Sequence, residues 1–167
     1  MVRRVDLALI RQAKRGYADC MPVAICNALR LLGHTTPRPK TAAWEKVVDA
    51  AGCRHGTTTN EHRVARHLGA KLVRVRNIAE HCPAILTVWN PVGGHALHAV
   101  TVIHANRVGA TVVNYRGDAG PLIEFLVWSN ALPRKKSGFI DRRAFADRLY
   151  RFDRSPIYKV VPISGSA

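Results

Sequence analysis

The chain has 167 residues, with 26 lysines and arginines against 11 aspartates and glutamates, and its formal net charge is +15. Its 47% hydrophobic content argues against disorder, and its length fits a single domain over residues 1–167 that buries a core without disulfides or metal. The apolar runs are far shorter than the ~20 residues of a membrane-spanning helix. The N-terminal apolar stretch, broken by Asp6 and ended by Arg11, is too short for a signal-peptide core, so we expect a cytoplasmic protein.

Four helices are predicted in the N-terminal half, over residues 5–15, 20–32, 41–51 and 60–68. The second has Asp19 as a candidate N-cap, Pro22 in its first turn, where a missing N–H costs nothing, and Gly33 as its end. It is apolar nearly all round, which is typical of a central, buried helix. Gly52 and Gly69 are expected to end the two helices that follow.

After residue 70 the pattern changes to strands, which are predicted over residues 71–76, 83–89, 98–104, 110–115 and 157–163. Residues 105–109 are expected to form the turn of a hairpin. Residues 121–129 are apolar and their type is undetermined, whereas residues 141–152 fit a basic amphipathic helix. Helices followed by antiparallel strands predict an α+β fold.

Cys20 is the candidate nucleophile because it heads the predicted buried helix. The partial positive charge at a helix N-terminus stabilises a thiolate over a thiol, and a histidine from another element can pair with that thiolate. His98, which opens an apolar strand, is the predicted base, and His95 is the alternative. Cys26 lies deeper in the same helix and is expected to belong to the core.

Asn114 is the candidate group that orients the base. If the two strands around residues 105–109 form a hairpin, Asn114 comes near His98, and its amide oxygen could accept the far imidazole N–H. Asp118, four residues on, could serve instead. Gln12 is the candidate oxyanion donor, together with the backbone N–H of Cys20.

The order of these residues resembles the papain-like cysteine peptidases, and most nearly the compact peptidases that process bacteriocin leaders after a double glycine. The matching positions, in chain order, are Gln12, Asp19-Cys20-Met21-Pro22 with Leu32-Gly33, Pro83-Ala84-Ile85-Leu86, His98-Ala99-Val100-Thr101-Val102 and Val113-Asn114. The resemblance implies a papain-like fold, in which the helix headed by Cys20 packs on an antiparallel sheet, and thiol-dependent cleavage of peptide bonds. The chain departs from the family at Met21, where glycine is usual, and in a longer spacing from Gln12 to Cys20.

The predicted function is that of a thiol hydrolase, foremost a cysteine peptidase that cleaves a peptide, isopeptide or amide bond through an acyl-enzyme on Cys20. Resolution of the acyl-enzyme by an amine would instead make the chain an acyltransferase or a transglutaminase-like enzyme. The expected partner is a peptide or protein substrate, and the positive charge favours an acidic one. The spacing of histidines and cysteines matches no zinc motif, so neither a metal nor a cofactor is predicted.

A second hypothesis comes from the charge. Residues 130–167, whose basic part is expected to belong to the same domain, carry nine basic and three acidic side chains. A papain-like fold without catalysis could therefore act as a basic module that binds nucleic acid or an acidic protein, mainly through residues 134–154.

Overall fold

A computed structural model of the chain describes residues 20–50, 52, 60–90, 96–115, 121–127, 151–152 and 156–163. The α-helices are α1 (Cys20–Leu31), α2 (Ala42–Ala50) and α3 (Glu61–His67), and a 3-10 turn covers Ile78–Glu80. The strands are β1 (Ala70–Val75), β2 (Ala84–Asn90), β3 (Ala96–Ala105), β4 (Gly109–Tyr115), β5 (Pro121–Val127), β6 (Arg151–Phe152) and β7 (Ile157–Pro162). The predicted α+β class is confirmed. Within the described ranges, no helix is both long and apolar enough to cross a membrane.

The strands form one antiparallel sheet in the order β1-β7-β2-β3-β4-β5. The strand β2 has two partners along one of its edges. It pairs with β7 at Ala84 and Ile85, and with β6 at Val88 and Trp89. Its other edge pairs with β3 along the whole of β2. The last two described strands of the chain therefore share one edge of β2.

The helix α1 ends where the sequence predicts. Gly33 has φ 87°, its N–H donates to the carbonyl of Arg30 at 2.9 Å, and the N–H of His34 donates to the carbonyl of Leu29 at 3.0 Å. These two bonds form a Schellman motif, which satisfies carbonyls that the end of a helix leaves without partners. The loop that follows then leaves α1 in a defined direction.

The next two helices also begin and end on local signals. Thr41 Oγ1 accepts a hydrogen bond from the N–H of Trp44 at 3.2 Å, and Asn60 Oδ1 accepts one from the N–H of Arg63 at 3.0 Å. Gly52 follows α2 with φ 70°, and a second glycine follows α3 with φ 73°, as expected. Both helices are therefore delimited by residues that lie beside them in the sequence.

The sheet buries apolar side chains on both faces. On one face, α1 packs in a cluster that includes Ile85, Ala99 and Val113. On the other face, Val100 and Val102 belong to a second buried cluster. Neighbouring residues of β3 thus alternate between the two clusters, because successive side chains of a strand point to opposite faces. The predicted central, buried position of α1 is confirmed.

One buried hydrogen bond joins α1 to β3. The hydroxyl of Thr101 donates to the carbonyl oxygen of Ala24 at 2.9 Å. Both residues have 0% exposed surface, so a hydroxyl at this place would cost free energy without a partner. Because this bond is directional, it sets where α1 lies along β3.

The segment 141–152 departs in part from its predicted helix. Arg151 and Phe152, at its end, form β6 against β2, so the helix prediction is wrong there. The reason is that β7 covers only one end of the edge of β2, and the backbone groups at Val88 and Trp89 bond to another segment. The rest of that segment, and the helix predicted over residues 5–15, lie outside the described residues.

We expect Thr101→Val to lower the free energy of unfolding by about 1 kcal/mol, because it keeps the shape of the side chain and removes the hydroxyl that bonds to Ala24. The measurement is the urea midpoint at an unchanged m-value. Thr111→Val, at a partly exposed position of β4, is the matched control and should shift the free energy by less than about 0.5 kcal/mol. Equal effects of the two substitutions would contradict the assigned role.

We expect Gly33→Ala to cost about 1–2 kcal/mol of stability, because an L-residue at a positive φ places its Cβ too close to the backbone. Beyond Gly33 and its two chain neighbours, an added Cβ meets no atom within 4 Å, so the loss comes from the local backbone conformation and not from contact with another part of the fold. Gly33→Asn should lose less, since asparagine tolerates this region better. Thermal unfolding of the two variants checks the order, and equal losses would refute the explanation.

Candidate active site

Cys20 is the first residue of α1, as predicted, and its side chain is half-buried. It packs against the edge of the cluster that α1 shares with the sheet. The backbone N–H groups of the first helical turn have no partners within the helix, and their partial positive charge favours an anion beside them. Cys20 therefore combines access from solvent with a position that suits a thiolate.

His98 lies near the start of β3 and is half-buried. It comes three residues before Thr101, the residue whose hydroxyl bonds to α1. The helix headed by Cys20 thus packs directly on the strand that carries His98. The two predicted residues belong to elements that are neighbours in the fold although 78 positions separate them, from 20 to 98.

Asn114 belongs to β4, which forms the predicted hairpin with β3. The two strands are antiparallel, with Thr101 opposite Val113. Along this pair, the direction from Thr101 toward His98 is the direction from Val113 toward Asn114. The register therefore brings the backbone of position 114 toward the end of β3 where His98 lies. On its other side, the backbone of Asn114 pairs with Leu122 of β5.

Three further candidates, Gln12, His95 and Asp118, lie outside the described residues, and so does most of the basic segment 134–154. Arg151 and Phe152 are its only described part. The candidate site is therefore built from three positions, on α1, β3 and β4.

Two further thiols differ from Cys20 in their surroundings. Burial raises the pKa of the Cys26 thiol to about 12, although a hydrogen bond with Thr36 and the charge of Arg30 act in the opposite direction. Burial also raises the pKa of Cys82, whose thiol donates to the carbonyl of Ile78 at 3.2 Å. Both therefore stay protonated at neutral pH, and the predicted core role of Cys26 is confirmed. None of the three thiols described here is in a disulfide.

Two residues whose contacts support this arrangement, Thr101 and Arg30, were not predicted from the sequence. Thr101 is a polar residue in a strand of otherwise apolar core positions, and that contrast was the available signal. Arg30 donates from Nε to Thr36 Oγ1 at 2.7 Å and from Nη2 to the Thr36 carbonyl at 3.0 Å. Arg30 thereby ties the loop after α1 back to the helix. No sequence pattern predicts that contact.

Among the described residues, no group of three or more histidine, cysteine, aspartate or glutamate side chains could hold a metal ion. No protein-family model matches the chain, and no curated protein matches it. The function proposed below is therefore inferred from the candidate residues and from the packing of the elements that carry them.

We expect Cys26 to resist iodoacetamide in the folded protein up to about pH 10, because its raised pKa keeps the thiol protonated and because it has 0% exposed surface. Peptide mass spectrometry after timed labelling measures each cysteine separately. Cys82, which is half-buried, should label faster, and both should label fully in urea. Native labelling of Cys26 at the rate of Cys82 would contradict the described burial.

Proposed function

We propose that the chain is a thiol hydrolase of the papain-like kind, and foremost a cysteine peptidase that acts through an acyl-enzyme on Cys20. The observation that carries the proposal is the packing of α1, headed by Cys20, on β3, the strand of His98, with the Thr101–Ala24 hydrogen bond between them. The candidate nucleophile and the candidate base, which are distant in the sequence, thus belong to neighbouring elements, and this supports the proposal because thiol catalysis needs such a pair in proximity.

The proposed reaction has two stages. The Cys20 thiolate attacks the carbonyl carbon of the substrate, and the resulting oxyanion is stabilised by the backbone N–H of Cys20 at the start of α1. The carbon–nitrogen bond then breaks, and the imidazolium of His98 gives its proton to the leaving amine. In the second stage, His98 takes a proton from water, which attacks the thioester and releases the acid and the thiol.

Asn114 has the role of a positioning residue in this proposal. An amide oxygen that accepts an imidazole N–H selects one tautomer and leaves the other ring nitrogen directed at the nucleophile. The antiparallel register of β3 and β4, which brings position 114 toward the end of β3 that holds His98, supports this role.

The alternation of side chains along β3 constrains the pairing of His98 with Cys20. Ala99 packs in the cluster with α1, whereas Val100 packs on the opposite face of the sheet. Regular alternation would give position 98 the face of Val100. His98 is regularly paired with Val88, so a pair with Cys20 requires its imidazole to reach the face of the sheet that α1 covers, and the response of the Cys20 thiol to His98→Ala tests this pair.

The contrast between the two cysteines of α1 supports Cys20 as the nucleophile. Cys26 has 0% exposed surface and a pKa of about 12, so it cannot supply a thiolate to a substrate at neutral pH. Cys20 is half-buried and stands at the positive end of the same helix.

We expect Cys20 to react with iodoacetamide at pH 6 at least tenfold faster than an ordinary thiol, which at that pH is less than about 1% thiolate. The reason is that an imidazolium partner and the helix N-terminus both lower the pKa of a thiol. The measurement is the rate of Cys20 modification by peptide mass spectrometry between pH 5 and pH 9. His98→Ala should move the profile toward that of an ordinary thiol, near pH 8.5.

His104→Ala is the matched control, because His104 lies in the same strand, is exposed and stands six residues from His98. It should leave the Cys20 profile unchanged. An ordinary profile in the wild type, identical in His98→Ala, would overturn the thiolate–imidazolium pair. The net charge of +15 would then favour the binding module, with salt-dependent affinity for nucleic acid as its signature.

Once the thiolate–imidazolium pair is established, turnover is measured with a library of fluorogenic peptides. Cys20→Ala should abolish this turnover. An added amine such as hydroxylamine separates the two fates of the acyl-enzyme. A hydrolase releases mainly acid, whereas an acyltransferase diverts most of the product to the amine.

A further inference from the structure

The segment that forms α3 and β1 carries a strong excess of positive charge. Residues 61–76 contain five lysines and arginines but a single acidic residue, Glu61. All five basic side chains are exposed. The carboxylate of Glu61 is half-buried and accepts a hydrogen bond from the hydroxyl of Tyr158 at 2.9 Å. The lysines and arginines that α3 and β1 expose to solvent therefore have no exposed acidic residue among them.

Contacts across the fold place Arg74 beside α3. The backbone of Arg74 pairs with that of Tyr158, and the ring of Tyr158 meets the ring of His62 edge-on, with 5.3 Å between their centroids. Burial and the bond to Glu61 raise the pKa of Tyr158, whereas the nearby charge of Arg74 acts in the opposite direction. The charge of Arg74 therefore lies close to the first turn of α3.

Helical spacing continues this positive region along α3. The apolar residues of the helix are buried on one side, and its histidines and arginines are exposed. His62 and Arg66 are four residues apart, and Arg63 and Arg66 are three apart. Residues so spaced are neighbours on a helix, with about 5–6 Å between their Cβ atoms. Arg63, Arg66 and Arg74 thus form one basic ridge, in which His62 lies between Arg66 and Arg74.

Helix stability does not account for this basic ridge. Arg63 lies in the first turn of α3, where the partial positive charge of the helix N-terminus disfavours a cation. Arg66 lies in the last turn, where the helix dipole favours it. Like charges three residues apart repel each other, so the pair of arginines lowers the stability of the helix. A ridge with this cost indicates a partner that uses the charge.

We propose that the basic ridge binds the phosphate backbone of duplex nucleic acid without reading its sequence. Guanidinium groups suit phosphates, because their planar N–H donors form two parallel hydrogen bonds with phosphate oxygens. A row of cations also matches a polyanion, whose condensed counterions are released when the cations replace them. This inference goes beyond the proposed thiol chemistry and does not depend on Cys20.

The residue types of the ridge favour nucleic acid over other anionic partners. In the described part of the chain, no exposed large apolar side chain lies on α3, and Val73 of β1 alternates with Arg74 and so faces the other side of the sheet. A helix on a membrane surface buries apolar side chains, and a protein interface usually has an apolar centre. α3 and β1 also contain no phenylalanine, tyrosine or tryptophan on which unpaired bases could stack.

Fluorescence anisotropy with a labelled DNA duplex of mixed sequence tests the proposal on the full chain. The triple variant Arg63→Gln, Arg66→Gln, Arg74→Gln should lose at least about tenfold in affinity at about 50 mM salt. Its plot of log K against log salt concentration should become shallower by about 3, because each phosphate contact contributes about 0.9 to the slope. The corresponding triple lysine variant keeps the charges and should keep most of the slope.

The matched control is the triple variant Arg38→Gln, Lys40→Gln, Arg107→Gln. These exposed residues lie in the loop after α1 and in the turn between β3 and β4, so the same charge is removed outside the ridge. The slope of this variant should change by less than about 1. Equal changes in the two glutamine variants, or no binding of the duplex at about 50 mM salt, would overturn the proposal.

Further measurements distinguish the partner and the role of the ridge. An RNA duplex of the same sequence should also bind, because it presents the same phosphate chemistry. Ridge-dependent binding of polyglutamate or of phosphatidylserine vesicles, without binding of either duplex, would overturn the proposal in favour of an acidic protein or a membrane. The unfolding midpoint of the ridge glutamine variant should equal or exceed that of the wild type, because like charges are removed. A lower midpoint would give these arginines a structural role and overturn the argument from repulsion.

These outcomes are distinct from a failure of the proposed function. Cys20→Ala should bind the duplex as tightly as the wild type, and the glutamine variant of the ridge should keep the pH profile of the Cys20 thiol. Loss of duplex binding in Cys20→Ala would contradict a ridge that acts independently of the thiol.

Discussion

The contact between α1 and β3 is the constraint on which the rest of the arrangement depends. Residues Pro22–Leu29 of α1 are buried without interruption, so other elements must cover the helix on all sides. Burial of apolar surface is non-directional and leaves the position of the helix along the sheet open. The hydrogen bond from the Thr101 hydroxyl to α1 restricts that position, because a buried donor that loses its acceptor costs free energy. The position of Cys20 relative to the strand of His98 follows from that bond and the packing around it.

The position of a cysteine along α1 decides whether its surroundings favour the thiol or the thiolate. Cys26 lies in the middle of the buried stretch, where desolvation disfavours a charged sulfur. Cys20 lies at the first turn, half in solvent, where the helix presents partial positive charge. One helix therefore supplies both a structural thiol and a candidate nucleophile. The difference between them is one of environment, since the residue type is the same.

One edge of β2 is divided between two partners. β7 occupies one end of that edge and β6 the other, so Arg151 and Phe152 pair with the residues of β2 whose opposite edge pairs with Leu97 and His98. The backbone of the chain after residue 150 therefore takes part in the same sheet as the strand of the candidate base.

Local signals in the sequence determined the helices and most of the strands. Gly33, the N-cap Asn60 and the alternation in β3 act within a few residues, so their effects could be predicted. The position of Cys20 at the head of α1 could be predicted for the same reason. So could the β3–β4 hairpin, which carries His98 and Asn114. Only the tertiary structure decided that Arg151 and Phe152 form a strand, that residues 121–127 do so too, and that Thr101 joins α1 to β3. The physical reason is that each depends on a partner far along the chain, 77 residues away for the Thr101–Ala24 bond, and local propensity does not encode such a partner.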